Sequence, residues 1–164
     1  MREADVAIRM KEPSQADLVR KRLMDIRMQL FATPDYLAQA GTPGHCEDLG
    51  SHRLICQNVH ATQVSAGAQL VRELMAYGAN RLLTVNNYFG VLQSTLAGVG
   101  IGILPDYLQQ DFPTLVPVLP DVGSNDVPVF LAYPEELRGS RRIEAFRDFV
   151  VEEVVAYRRR REAA

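Results

Sequence analysis

No apolar run in this chain approaches the length of a membrane span, and its start, Met1-Arg2-Glu3-Ala4-Asp5, holds no apolar signal-peptide core. Both absences lead to the expectation of a soluble, cytoplasmic protein. Cysteine is scarce as well. Only Cys46 and Cys56 occur, outside any CxxC or paired-ligand pattern, which argues against a disulfide framework or a zinc site. Charge of one sign is also lacking: 18 basic side chains face 20 acidic ones, so this segment exerts no overall pull on phosphate. DNA contact, if any, has to come from elsewhere in a longer protein. Neither cofactor nor metal is expected.

What the chain does have is apolar material. In 164 residues, 47% are hydrophobic, enough for one domain or two small lobes with a substantial core. The densest information lies between Val85 and Leu108. Asn86-Asn87 ends a strand and opens a helix whose Phe89, Leu92 and Leu96 fall on one face. Gly98 stops that helix, and Val99 to Leu104 reads as a buried strand closed by Pro105. Polar side chains at such a junction can meet a ligand, because first-turn N–H groups lack intrahelical partners and carry partial positive charge. A small polar or anionic ligand fits that chemistry.

Elsewhere, Ala4 to Arg9 alternates as a strand, and Leu18 to Leu23 reads as either a short helix or an irregular crossing. Met28 to Ala32 is a second strand. Thr33 then offers an N-cap with Pro34 at the first helical position. Leu54 to Cys56 and Arg81 to Val85 are short strands around a helix carrying Leu70, Leu74 and Tyr77, with Ser65 as its expected cap and Gly78 as its stop. Leu115 to Leu119 and Val127 to Tyr133 follow, with Pro117 and Pro128 suggesting edges or crossings. A last helix from about Ser140 is expected to bury Ile143, Phe146, Phe149 or Val150, Val154 and Tyr157. Pro-Asp-Tyr-Leu occurs at Pro34 and again at Pro105, which suggests one strand-to-helix junction used twice.

Strands alternating with helices through short connections give an α/β fold with mixed sheets. The crossings near residues 33 and 117 suggest two lobes, 1–33 with 117–164 and 34–116, and a cleft between them.

The ordered fragments resemble the effector-binding region of LysR-type transcriptional regulators. Asp5-Val6-Ala7-Ile8-Arg9, Phe31-Ala32-Thr33-Pro34-Asp35-Tyr36-Leu37, and Val85-Asn86-Asn87 with Leu96-Ala97-Gly98-Val99-Gly100-Ile101 and Leu104-Pro105 are similar to that family's strings. Gly41-Thr42-Pro43, Asp48-Leu49, His52, Tyr133-Pro134 and Phe146-Arg147-Asp148-Phe149 follow in the same order. The resemblance implies a periplasmic-binding-protein-like fold of type 2, a small-molecule effector in the cleft, and a likeness to dimeric regulators. It also implies a winged helix-turn-helix and first-lobe strands that are not in this sequence. Asn87 stands where the family usually has Asp, which removes a negative charge beside the expected ligand.

The effector-side residues are then Asn86, Asn87 and Phe89, with Thr33 and Pro34 across the cleft and Ile8, Arg9 and Met10 at its wall. Each has a plainer reading, as cap or core. Cys46 and Cys56 are candidate redox thiols, although an apolar-flanked Cys56 also reads as buried filler. His45, His52 and His60 share no helical face, so catalysis is not expected. Arg158 to Arg161 reads as a solvated helix end. A transport solute-binding protein with the same lobes is the main alternative, and a small cysteine-histidine enzyme is the third.

Overall fold

The computed structural model describes residues 4–10, 12–13, 15–57, 66–79 and 81–162. The chain divides into two compact units, a central one of Arg27–Asp126 and a terminal one of Met1–Ile26 with Val127–Ala164.

In the central unit a five-stranded sheet has the order β5-β4-β6-β3-β7. Its strands are β3 (Met28–Ala32), β4 (Leu54–Gln57), β5 (Leu82–Val85), β6 (Ile101–Pro105) and β7 (Val116–Gly123). Strand β4 runs parallel to both β5 and β6, while β3 is antiparallel to β6 and β7. Alternation along β3 splits its side chains between two cores. Met28, Leu30 and Ala32 pack in a cluster with Leu70, Val71 and Leu74 of α2 (Ala66–Met75), whereas Phe31 packs in another with Val91 and Leu92 of α3 (Tyr88–Leu96). Cover on both faces is why β6 can be apolar at successive positions. Gly102 is the exception that permits it: a Cβ there would collide with Thr95 Oγ1 on α3, so the missing side chain lets helix and strand approach. Thr33 caps α1 (Pro34–Ala40) by accepting from Tyr36 N, and Pro34 takes the first turn. Ser65, expected to cap α2, lies outside the described residues.

The two Pro-Asp-Tyr-Leu copies turn out to be different junctions. Pro34 opens a helix, but Pro105 is the last residue of β6, paired with Met28, and α4 (Leu108–Asp111) starts only afterwards. Ladder pairing supplies the constraint that local sequence lacks.

The terminal unit holds a three-stranded antiparallel sheet, ordered β1-β8-β2, and the long helix α5 (Arg141–Glu162). Here β1 is Ala7–Arg9, β2 is Leu18–Ile26 and β8 is Val127–Pro134. The segment read as a helix or crossing is therefore a full strand, fixed by its ladder with β8 and bulged at Leu23. Strand β8 is central, yet Pro128 is tolerated because β1 pairs only with Phe130 to Ala132 and Pro128 faces β2 alone. Arg158 Nη2 donates to the Leu23 carbonyl at 2.7 Å, tying α5 to the bulge. Ile143 is buried as expected, but Phe146 is 42% exposed against expectation, and of the alternatives Phe149 and Val150 the first is 59% exposed and the second half-buried.

The boundaries differ from those read in the sequence. Residues 27–33 and 117–126 fall in the central unit, because β3 and β7 pair with each other and β3 with β6.

Candidate functional site

In an open α/β sheet, ligands meet the carboxyl ends of the parallel strands, where helix N-termini also gather. Gln57 ends β4 beside Val85, the end of β5, and Asn86-Asn87 follow directly. These residues form a connected polar edge. Gln57 Nε2 donates to the Asn86 carbonyl at 3.3 Å, Asn87 Nδ2 to Asn86 Oδ1 at 2.9 Å, and Gly90 N to Asn87 Oδ1 at 2.8 Å. Asn87 is thus a true N-cap in extended conformation, as its residue type suggests. The capping bond points its side-chain oxygen into the helix, leaving the outer face of the pair to Asn86 and to Phe89, which is 69% exposed.

Thr33 and Pro34 do not share this edge. Strand β3 is antiparallel to β6, with Phe31 opposite Gly102, so Thr33 lies past the amino end of β6 while Asn86 lies past the carboxyl end of β5. Thr33 is buried and occupied by its cap. Strand direction, invisible in a linear motif, separates the two sets. Ile8, Arg9 and Met10 belong to the terminal unit, on and just after β1, and all three are exposed.

Arg27, Asp106 and Ser124 sit at the carboxyl edge instead, and of these the sequence drew attention only to Asp106, through its Pro-Asp-Tyr-Leu string. The Arg27 amide donates to Asp106 Oδ1 at 3.1 Å, and the Asp106 amide returns a bond to the Arg27 carbonyl at 2.8 Å. Arg27 Nε donates to the Ser124 carbonyl at 3.1 Å, and Ser124 Oγ accepts from Met28 N at 3.0 Å. Gly123 makes room, since a Cβ there would press on Arg27 Nε and on the Met28 carbonyl. Arg27, Asp106 and Ser124 therefore fasten the first and last residues of the central unit to the end of β6. The one available sequence signal was Asp106 directly after a strand-closing proline.

Cys56 is buried in β4 and Cys46 partly buried in the 3₁₀ segment Cys46–Ser51, and burial pushes both thiols up, the direction opposite to a reactive thiolate. Glu47 adds to the effect at Cys46. His52 is buried with its Nδ1 3.0 Å from the Tyr36 hydroxyl, a structural pair joining α1 to the 3₁₀ segment. His60 lies outside the described residues. Among the described residues no group of three His, Cys, Asp or Glu side chains is arranged to hold a metal ion, and no helix is long and apolar enough to cross a membrane.

Comparison with known proteins gives a consistent result. The family described as LysR substrate binding domain matches residues 1–155. The HTH-type transcriptional regulator CrgA of Neisseria meningitidis serogroup C is 29% identical over 157 residues, covering 93% of this chain and 52% of that protein. The uncharacterized HTH-type transcriptional regulator YhjC of Escherichia coli K12 is 27% identical over 147 residues, 87% of this chain and 49% of that protein. This chain thus spans about half the length of the curated relatives it matches. Among solved structures, the CrgA regulatory domain superposes with a TM-score of 0.75 at 26% identity, covering 93% of this chain and 76% of that one. The regulatory domain of AphB from Vibrio vulnificus, at 22% identity, has a TM-score of 0.66 over 92% of this chain and 75% of that one, a likeness of fold.

Proposed function

Because this chain belongs to the LysR substrate-binding domain family, we propose that it is the ligand-sensing part of a LysR-type DNA-binding regulator. Its effector is a small polar or anionic molecule held at the carboxyl edge of the central sheet by Asn86, Asn87 and Phe89. The observation that carries this reading is the Asn86–Asn87 pair, exposed and hydrogen-bonded at the strand-to-helix junction. In a longer protein, promoter DNA would be read by an upstream winged helix-turn-helix, with homo-oligomers in the cytoplasm. The relatives are described as transcriptional regulators, which favours neither an enzyme nor the transport alternative.

Thermal-shift screening of small organic acids against the chain tests the site. Asp is as good an N-cap as Asn, so Asn87→Asp keeps the capping bond while adding a negative charge. A stabilising acid should lose most of its shift in Asn87→Asp and Asn87→Ala. Stabilisation that is equal in all three proteins would move the effector site elsewhere.

A further inference from the structure

The terminal unit carries a cavity that none of the foregoing uses. It is a shallow depression, open to solvent, at the β2–β8 ladder beside the start of α5, with a volume of about 530 Å³, lined by Lys21, Tyr133, Arg138, Glu144, Arg147 and Asp148, with Arg20 at its side. That volume suits a small molecule. Cations outnumber carboxylates on its wall, four to two.

Arg147 is the fixed point. Its Nε donates to Asp148 Oδ1 at 2.8 Å, and Tyr133, a buried residue of the central strand β8, lines the same depression. A guanidinium has five N–H donors in a planar fork, so this bond leaves donors for a carboxylate that binds in two-pronged fashion. The bond from Arg147 holds the Asp148 carboxyl below the usual range, and Lys21, on β2, adds to that effect. Arg138 comes from the turn before α5 and pairs with Glu135 at 3.0 Å, both side chains well exposed. Arg20 is turned toward Glu12 and the Pro13 carbonyl and is the least available of the four.

The exposed Arg138–Glu135 pair contributes little to stability, so an incoming carboxylate can replace it at small cost. The two guanidinium groups come from different elements, Arg138 from the turn before α5 and Arg147 from α5 itself. Glu144 on the same wall repels a third anionic group. We propose that this cavity binds a small dicarboxylate, one carboxylate on Arg147 with Lys21 and the other on Arg138.

Succinate titrated calorimetrically into the 164-residue chain tests this. One site is expected, with succinate bound more tightly than propionate or citrate. Arg147→Gln should weaken binding by about tenfold or more and Arg138→Gln by several-fold, as expected when one partner of a charge-assisted pair is lost. Arg159→Gln, which removes an exposed charge from α5 outside the cavity, should leave binding unchanged. If Arg147→Gln does not fold, Arg138→Gln alone decides, because that side chain is 66% exposed. Absence of succinate binding, equal loss in Arg159→Gln, or binding unaffected by Arg138→Gln overturns the proposal.

Discussion

The central sheet is covered on both faces, while the terminal unit leaves two aromatic rings of its long helix exposed. In the central unit every apolar residue of β3 and β6 meets a neighbour on one side or the other. In the terminal unit α5 buries Ile143 but exposes Phe146, Phe149 and Val155. The contrast shows that an apolar stripe states what a helix can bury, and that burial itself depends on which surfaces the remaining chain brings to it.

Substitutions of the same chemistry in the two units would sharpen that contrast. Phe31→Ala should cost about 3–5 kcal/mol, since its ring is fully buried between β6 and α3. Urea unfolding would measure it, and a loss below about 1 kcal/mol would mean that the central core is looser than its packing indicates. Gly102→Ala comes next, at about 1–3 kcal/mol, because the new methyl must push α3 off the sheet. Thr95→Ala in the same chain should recover part of the loss. Asn87→Ala should remove about 1 kcal/mol through the lost cap, read in the same titration. Phe149→Ala should change stability by no more than about 0.5 kcal/mol, and a larger effect would break the comparison.

Acid should also separate the units, because every histidine of the chain lies in the central one. Burial pushes the His52 imidazole below its ordinary range. The unfolded chain then binds a proton that the folded one refuses. Stability of the central unit is therefore complete above an unfolded pKa of about 6.5 and declines as pH falls from there toward the folded value. At still lower pH, Asp48 loses the backbone bonds from His45 and Gly44 that hold its carboxyl below the usual range. Thermal unfolding followed from neutral pH to about pH 5.5 should show this decline, and it should flatten in His52→Gln. An unchanged slope in that variant would assign the acid sensitivity to other groups.

Much of the fold was legible because it is written in local chemistry. Thr33-Pro34 and Asn87 read as helix starts and act as such, since a capping side chain bonds only two or three residues ahead. Gly98 reads as a helix stop and adopts the left-handed conformation that requires glycine. Residues 18–26 were less legible. Val19, Lys21, Leu23 and Asp25 do not alternate cleanly, and the bulge at Leu23 shifts the period midway through the strand. The candidate site was legible in half: Asn86-Asn87 stood out as polar residues at a junction, whereas Arg27 and Ser124 carry no motif and Asp106 read only as part of a strand-to-helix string. Their partners are far away in sequence.

By itself the sequence determined the α/β class, the positions of most helices and strands, and the resemblance to LysR-type effector-binding regions. Each of these rests on residue periodicity, caps and ordered strings within a few positions of one another. Only the tertiary structure decided that Thr33 and Asn86 lie past opposite ends of the sheet, that Pro105 closes a strand while Pro34 opens a helix, and that Arg27 clamps the end of β6. Those facts depend on strand direction and register, which are fixed by hydrogen bonds between residues distant in the chain.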